Sequence, residues 1–319
     1  MFNKEIKDCI SENISQDEIV SMLTREHIEK LPNVHLFDSE DELDLFCYTD
    51  CTFVDDPLIK HCRGVIFNGN KLIMTAFPYT SEYTNDDPHI VELLYDFDSI
   101  RFFESHEGTL IRMFFFNNKW FTCTHRKLNA FKSRWASKDS FGTLLKKALE
   151  FEYNQTDEKS DTINVLQRLQ EKLNVTKQYM FLLQNSKENR IVCSSSDNPI
   201  VFHVGTIYNG KLDLDDNVGL RHPSQLNFTT IKEVYEYFST MDISKIQGLI
   251  CFTPRTQFKI FHEKYLKLFK IRGNEPSIKF RYLQIRMNRS QTDILYYLYP
   301  EHAAQFEKYE NYIFQIARN

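Results

Sequence analysis

The chain has 319 residues, 42% of them hydrophobic and 26% charged, with a formal net charge of -5 and a pI near 6.1. That is the balance of a globular protein with room for one large domain or two small ones. It excludes attraction to nucleic acid by overall charge, so any contact with RNA or DNA has to come from a local basic surface.

The 27 Phe and 16 Tyr against 9 Gly favour aromatic-rich sheets over Gly-rich phosphate loops, and no P-loop or dinucleotide fingerprint occurs. Met1 to Glu5 is polar, and no apolar run approaches the ~20 residues of a membrane span. The expectation is an intracellular, cytoplasmic protein with no membrane partner. The seven cysteines are an odd number without a CxxC pair and read as buried thiols of a reducing compartment. Cys47, Cys51, His61 and Cys62 are close enough in sequence to suggest zinc, but their spacing matches no standard ligand pattern. Packed cysteines are the preferred reading, and no metal site is assigned.

In chain order, residues 13 to 30 carry Ile14, Ile19, Val20, Leu23 and Ile28 at near-helical spacing, which predicts a short amphipathic helix or pair packed on a sheet. Val34–Phe37, Phe46–Tyr48, Gly64–Phe67 and Lys71–Ala76 are strand-like runs, with a hairpin turn at Asn68-Gly69-Asn70. Ser81 to Pro88 reads as a surface loop. Thr109–Phe116 and Lys119–Cys123 form a second hairpin through Asn117-Asn118. Phe141–Phe151 and Thr162–Leu173 read as helices around a polar linker, Asn154 to Asp161. Strands are expected at Tyr179–Leu183, Arg190–Cys193, Val201–Ile207 and Leu249–Phe252. Between the last two, a helix begins near Phe228, where Thr229-Thr230 and Glu233 offer capping chemistry. Beyond Pro276 the pattern is helical. The fold class is α+β, antiparallel sheets with flanking helices over residues 1–274 and a small helical extension over 275–319.

The stretch Phe103 to Arg112, followed by Cys123-Thr124-His125-Arg126-Lys127, places small, acidic and basic side chains at a strand-turn-strand junction. Three further elements follow a consistent order around it. Arg63-Gly64-Val65-Ile66-Phe67 precedes it; Phe181 to Leu183 with Asn189-Arg190-Ile191-Val192 follows; then come Gln247-Gly248-Leu249-Ile250, Lys259-Ile260 and Tyr265. This order resembles the phage-type RNA ligase 1 family of covalent nucleotidyltransferases, which also include DNA ligases and mRNA capping enzymes. The resemblance covers roughly residues 60 to 270 and implies an ATP-grasp-like ligase domain. It further implies a lysine nucleophile in a KxDG motif, ATP or GTP with magnesium, and RNA as partner. In such chemistry a lysine amine attacks the α-phosphorus, carboxylates hold metal or ribose, and further lysines neutralise the phosphate.

Position by position, the chain departs from that pattern where chemistry happens. Ser105 stands at the nucleophile position, followed by His106, Glu107 and Gly108. The family glutamate after Phe181 is replaced by Leu182 or Leu183, and that of the Glu-Gly strand by Gln247. Lys259 remains, but Phe261 takes the second lysine's place, and another family lysine falls near Tyr79. A serine hydroxyl without a base is a poor nucleophile near neutral pH. His106 is one residue off register and expected to face away.

The residues left to bind a nucleotide are Arg63, Glu107, Gly108, Arg190, Gln247 and Lys259, with Asn189, Gly248 and Tyr265 as scaffold. Arg126, Lys127, Lys132 and Arg134, interleaved with Phe131 and Trp135, form a basic cluster suited to RNA. A solvated face is its bland alternative. The expected function is a catalytically degenerate RNA-ligase-like binding module for a nucleotide or RNA end, alone or with an RNA-processing partner protein. The alternatives are an active ligase with a displaced nucleophile, Lys119 or Lys127, and a structural subunit without ligand.

Overall fold

The computed structural model describes residues 16–52, 55–155, 164–184, 186–254 and 256–318. Its first sheet is an antiparallel meander of β1 (Val34–Glu40), β2 (Leu43–Tyr48), β3 (Arg63–Asn68) and β4 (Lys71–Met74). Both faces are covered, which explains the nearly unbroken apolar runs of β2 and β3. Phe46, Val65 and Phe67 face Ile19, Leu23 and Ile28 of a helix pair, Gln16–Met22 and Arg25–Ile28, while Leu43, Leu45, Ile66 and Met74 face the rest of the molecule. The pair matches the sequence expectation; residues 13–15 of that expectation lie outside the described residues. The β3–β4 turn is one residue later than expected, on Gly69 and Asn70, with Gly69 alone at positive φ (54°).

Two five-stranded sheets follow in sequence. After β5 (Ser81–Thr84) and β6 (Arg101–Ser105) come β7 (Gly108–Phe116), β8 (Lys119–Cys123), β9 (Gln178–Gln184), β10 (Val201–Tyr208) and β11 (Lys211–Asp213). The last strands are β12 (Gln225–Leu226), β13 (Gly248–Phe252) and β14 (Gln257–Phe261). The orders are β11-β10-β9-β7-β8 and β12-β6-β13-β14-β5. Asn117 and Asn118, at φ 47° and 59°, close the β7–β8 hairpin as the sequence expects. Consecutive strands β6 and β7 belong to different sheets, so the chain crosses from one to the other over His106 and Glu107.

Strand alternation then decides what faces what. The outer face of the β6-containing sheet buries Phe102, Leu249, Cys251, Phe258 and Ile260 under Val234 and Phe238 of the helix Ile231–Thr240. That helix is capped by Thr230, whose hydroxyl accepts from Glu233 N, while the Glu233 carboxylate accepts from Thr229 N. The other sheet packs Ile111, Met113, Tyr179, Phe181 and Leu183 on Leu144, Leu145, Ala148 and Leu149 of the helix Phe141–Gln155. Phe103, Ser105, Ile250, Phe252, Gln257 and Lys259 are left on the inner side, opposite Leu110, Leu182 and Val204.

Two expectations are corrected. Ser81–Thr84 is not loop but an edge strand, parallel to β14, with Tyr83 edge-on to Phe258. A short polar edge strand carries no apolar run to announce it. Arg190–Cys193 is not a strand; its amides bind a carboxylate instead of a ladder, as described below. The second expected helix is Val165–Lys172, N-capped by Asn164, and the first runs on to Gln155; residues 156–163, most of the expected linker, lie outside the described residues.

The helices Glu263–Arg272, Ile278–Ile285, Arg289–Leu298 and Ala303–Arg318 gather around Tyr265, Tyr282, Ile285, Leu295, Leu298 and Phe306. Val192 and Cys193 join the same core.

Candidate functional site

Between the two inner faces lies a cavity of about 420 Å³, within the range of small-molecule sites. Ser105, His106, Glu107, Gly108, Arg63, Gln247 and Lys259 all line it, so these sequence-nominated residues meet in one place. Arg190, also nominated, is not in its wall. Its guanidinium donates to the Leu298 carbonyl (2.5 Å) and to Glu301 (2.8 Å) and lies over the Tyr299 ring, tying the C-terminal helices down.

Ser105 ends β6, inward by alternation and only 4% exposed. Its Oγ accepts from Gln247 Nε2 (3.1 Å), and the same amide nitrogen donates to the His106 carbonyl (2.7 Å). The backbone amide of Gln247 donates to the Ser105 carbonyl (2.9 Å). Ser105 and Gln247, which the sequence pattern sets at the nucleophile and Glu-Gly positions, are therefore hydrogen-bonded to each other as a neutral pair. Gly248 lets the next strand, β14, close on β13. At φ 153°, a Cβ there would run into the Ile260 carbonyl oxygen of the neighbouring strand.

Glu107 serves the fold. Its Oε1 accepts from the Val192 amide (2.8 Å), the Cys193 amide (3.1 Å) and the Tyr265 hydroxyl (2.9 Å), and its Oε2 from the Ile191 amide (3.2 Å). A buried carboxylate is tolerated because four donors replace its water. Burial, and then the Glu107 charge, push the Tyr265 phenol upward, so it stays a donor. At Gly108 a Cβ would lie 2.5 Å from the Leu183 carbonyl oxygen, so the strands can close only with glycine. The close approach that these glycines permit is to neighbouring backbone.

The cations of the cavity are Arg63 and Lys259. Burial lowers the Lys259 amine below its ordinary value; Glu82 opposes this and Arg63 adds to it. Glu82 is the cross-strand partner of Lys259, is exposed, and makes no ion pair with it. Among the described residues the Arg63 guanidinium donates to the Pro78 carbonyl, at 3.4 Å. Behind them Arg112, fully buried, donates to the carbonyls of Gly64 and Thr124. His125 lines the cavity beside this group. Burial first, then Arg63, Arg112 and Arg126, hold its imidazole well below its ordinary value.

His106 also lines the cavity, against the expectation that it faces away. It leaves the strand at the turn, so strand alternation no longer fixes its side. Its ring stacks on Phe202 (4.7 Å between centroids), and burial lowers it although Glu104, 3.7 Å away, raises it. Thr80, Gln257, His203 and His222 were missed by sequence reasoning. Gln257 follows from Lys259 by the two-residue period; His222 carries no local signal.

The basic cluster stands elsewhere. Lys127 pairs with Asp38 and Lys132 with Glu40, both at 3.2 Å; Arg126 lies over Phe37, and Arg134 is exposed. Lys119 pairs with Asp41 on the surface. Neither Lys119 nor Lys127 lines the cavity, and the lysine that does is Lys259. Tyr79 packs against the first sheet, and buried Asn189 caps its own loop by accepting from Ser186.

Cys47 faces one side of the first sheet while Cys51 and Cys62 face the other, and His61 Nδ1 meets the Pro57 carbonyl. No cluster of three or more His, Cys, Asp or Glu among the described residues could hold a metal ion. In the cavity, Glu107 is fully engaged, and Glu104 faces the Tyr237 hydroxyl (3.3 Å) and His106. Glu107 therefore has no oxygen left for a magnesium ion, which is usually bound through one or two carboxylates beside the phosphates, so these residues fit that ion poorly.

No family model matches the chain. It is 30% identical over 337 aligned positions to an immediate-early protein ICP-46 homolog of Invertebrate iridescent virus 6, covering 98% of this chain and 70% of that protein. The chain belongs to the ICP-46 immediate-early protein family. A second ICP-46 homolog, from Invertebrate iridescent virus 3, is 29% identical over 73% of the chain, which spans about half (52%) of that relative. A protein of Autographa californica nuclear polyhedrosis virus, described as a bifunctional polynucleotide kinase/RNA ligase, is 24% identical over 75% of this chain and 32% of its own. Among solved structures the neighbours are ATP-dependent ligases. One is described as an ATP-dependent DNA ligase from Aquifex aeolicus (TM-score 0.47, 12% identity, 86% of this chain and 77% of that one). Another is an archaeal ATP-dependent RNA ligase (TM-score 0.46, 11% identity, 90% and 72%). No helix among the described residues is long and apolar enough to cross a membrane.

Proposed function

We propose that this ICP-46 family member is a nucleotide- or RNA-end-binding module on a nucleotidyltransferase-type fold, working in RNA processing or repair without covalent nucleotidyl transfer. The observation that carries the reading is the Ser105–Gln247 pair. A hydroxyl and an amide, hydrogen-bonded at 3.1 Å, occupy the positions where the ligase pattern has an amine and a carboxylate. Ser105 Oγ has no base within hydrogen-bonding reach, and an unactivated hydroxyl does not attack phosphorus at a useful rate. Arg63 and Lys259 remain to meet a phosphate, and the apolar wall of Phe103, Leu110, Leu182 and Ile250 remains to meet a base.

The test is to incubate the purified protein with α-labelled ATP or GTP and divalent metal, then denature it. The expected result is saturable binding before denaturation and no labelled band after it; a surviving band overturns the non-catalytic reading. One observation favours a second reading, a transferase with a displaced nucleophile. Lys259 is a cavity amine that makes no ion pair with a described carboxylate, lies over the Phe261 ring, and has its proton affinity lowered by burial, as nucleophilic lysines require. A band present in the native protein and absent in Lys259→Arg would establish it.

A further inference from the structure

The cavity holds two cations without an ion pair to a described carboxylate, while the buried carboxylate of its wall is engaged by the protein, and the two facts bear on what its ligand brings along. In the ligase pattern, a metal ion held by carboxylates neutralises the phosphates. Here Glu107, the buried carboxylate of the wall, is spent. Glu107 accepts four hydrogen bonds from Ile191, Val192, Cys193 and Tyr265, and its two oxygens face those donors. Glu104 is turned toward Tyr237 and His106. The third candidate position holds Gln247, whose amide nitrogen is fixed on Ser105 and His106, so its oxygen faces the other way as a neutral acceptor.

On the positive side, neither Arg63 nor Lys259 makes an ion pair with a described carboxylate, and buried Arg112 lies behind Arg63, donating to the carbonyls of Gly64 and Thr124. A dication placed beside these groups would be repelled by them. An anion would be attracted, more strongly in a half-buried site than in open water.

We infer that the cavity takes a nucleoside 5′-monophosphate group, free or at an RNA end, without a divalent cation, its charge met by Arg63 and Lys259. This rests on the nucleotide-binding reading above. A phosphate monoester carries a charge of about -1.5 to -2 at neutral pH, close to what one guanidinium and one ammonium balance. A triphosphate without metal would leave charge uncovered. Phe103, Leu110, Leu182, Ile250 and Phe252 form the apolar side that a base would cover, with Gln247 Oε1 open to a hydroxyl or amino donor.

The experiment is calorimetric titration of the full chain with AMP, GMP, ATP and a short 5′-phosphorylated oligoribonucleotide, each in EDTA and in millimolar magnesium. Monophosphate affinity is expected to agree within about threefold between the two buffers and to exceed that of ATP in EDTA. The arm that binds tighter, free monophosphate or oligonucleotide, names the source of the group. Monophosphate binding that needs magnesium, or tightens about tenfold or more with it, overturns the inference and leaves the binding module standing. No binding of any probe in either buffer overturns both.

Gln247→Glu supplies the opposite test, since a carboxylate restored beside the phosphate is expected to weaken binding in EDTA by about tenfold and to make magnesium recover it. Arg63→Gln with Lys259→Gln is expected to lose about tenfold or more in EDTA. Should a variant fail to fold, the native comparison between buffers decides alone.

Discussion

Two regions of this molecule carry basic side chains, and they differ in how those charges are settled. On the rim of the first sheet Lys127 and Lys132 each meet a carboxylate at 3.2 Å, Arg126 covers an aromatic ring, and all stand in or near water. In the cavity Arg63 and Lys259 are half-buried and make no ion pair with a described carboxylate. The rim is the denser basic run in sequence, yet its charges are satisfied at home. A cation partly withdrawn from water without a carboxylate partner carries a cost that a bound anion would relieve, and this marks the cavity as the more informative region.

The contrast can be broken most forcefully at the carboxylate that the cavity buries. Glu107→Ala would leave three backbone amides and the Tyr265 hydroxyl without their acceptor. Each buried unsatisfied donor costs about 1–3 kcal/mol, so a loss of about 4 kcal/mol or more is expected in urea unfolding, with hydrogen exchange rising first at Ile191 to Cys193. A stable, unchanged Glu107→Ala would mean that the carboxylate is available to a ligand after all.

The next effect is one of pH. His203, wholly buried, is pushed down to about 4 by burial and then by His222. Its folded value lies below its unfolded one, so the unfolded chain binds the extra proton. The stability held by neutral His203 is complete above about 6.5 and falls as pH drops toward 4, by on the order of 3 kcal/mol. His125 acts in the same direction. The acid slope of the urea midpoint should flatten in His203→Gln, while a variant at the exposed rim leaves it unchanged.

Much of this was legible in the sequence, and the failures have physical reasons. Periodicity gave the helix pair, the strands of the two hairpins and the strand at Leu249–Phe252, because a buried face forces a regular apolar pattern. The order of four motifs brought Ser105, Gln247, Arg63 and Lys259 into one cavity. Arg190 was misplaced because Arg190–Cys193 looks like a strand, whereas its amides turn onto Glu107, a contact 84 residues or more away in sequence. The rim cluster was overweighted because its carboxylates, Asp38 and Glu40, lie on β1 and nothing local announces them. Pairing across a fold is what a linear charge pattern cannot display.

A smaller effect tests the unpaired cation itself. Lys259→Met keeps the side-chain length and removes a charge that burial opposes. Stability is expected to rise by about 1 kcal/mol, while nucleotide binding is lost. Loss of both stability and binding would instead mark Lys259 as a structural member of the sheet.

The smallest effect belongs to the rim. Lys127→Gln and Lys132→Gln each remove a partly exposed ion pair, whose worth is about 0–1 kcal/mol, and together should shift the unfolding midpoint very little. Mononucleotide affinity should stay within about twofold of native, since neither side chain lines the cavity. What the pair can change is affinity for a polymer, whose phosphates would compete with Asp38 and Glu40 for the same lysines. If oligoribonucleotide binding weakens and its salt slope falls by about one per lysine removed, the rim is a second contact for RNA reaching beyond the cavity. An unchanged slope leaves these lysines as solvated partners of β1.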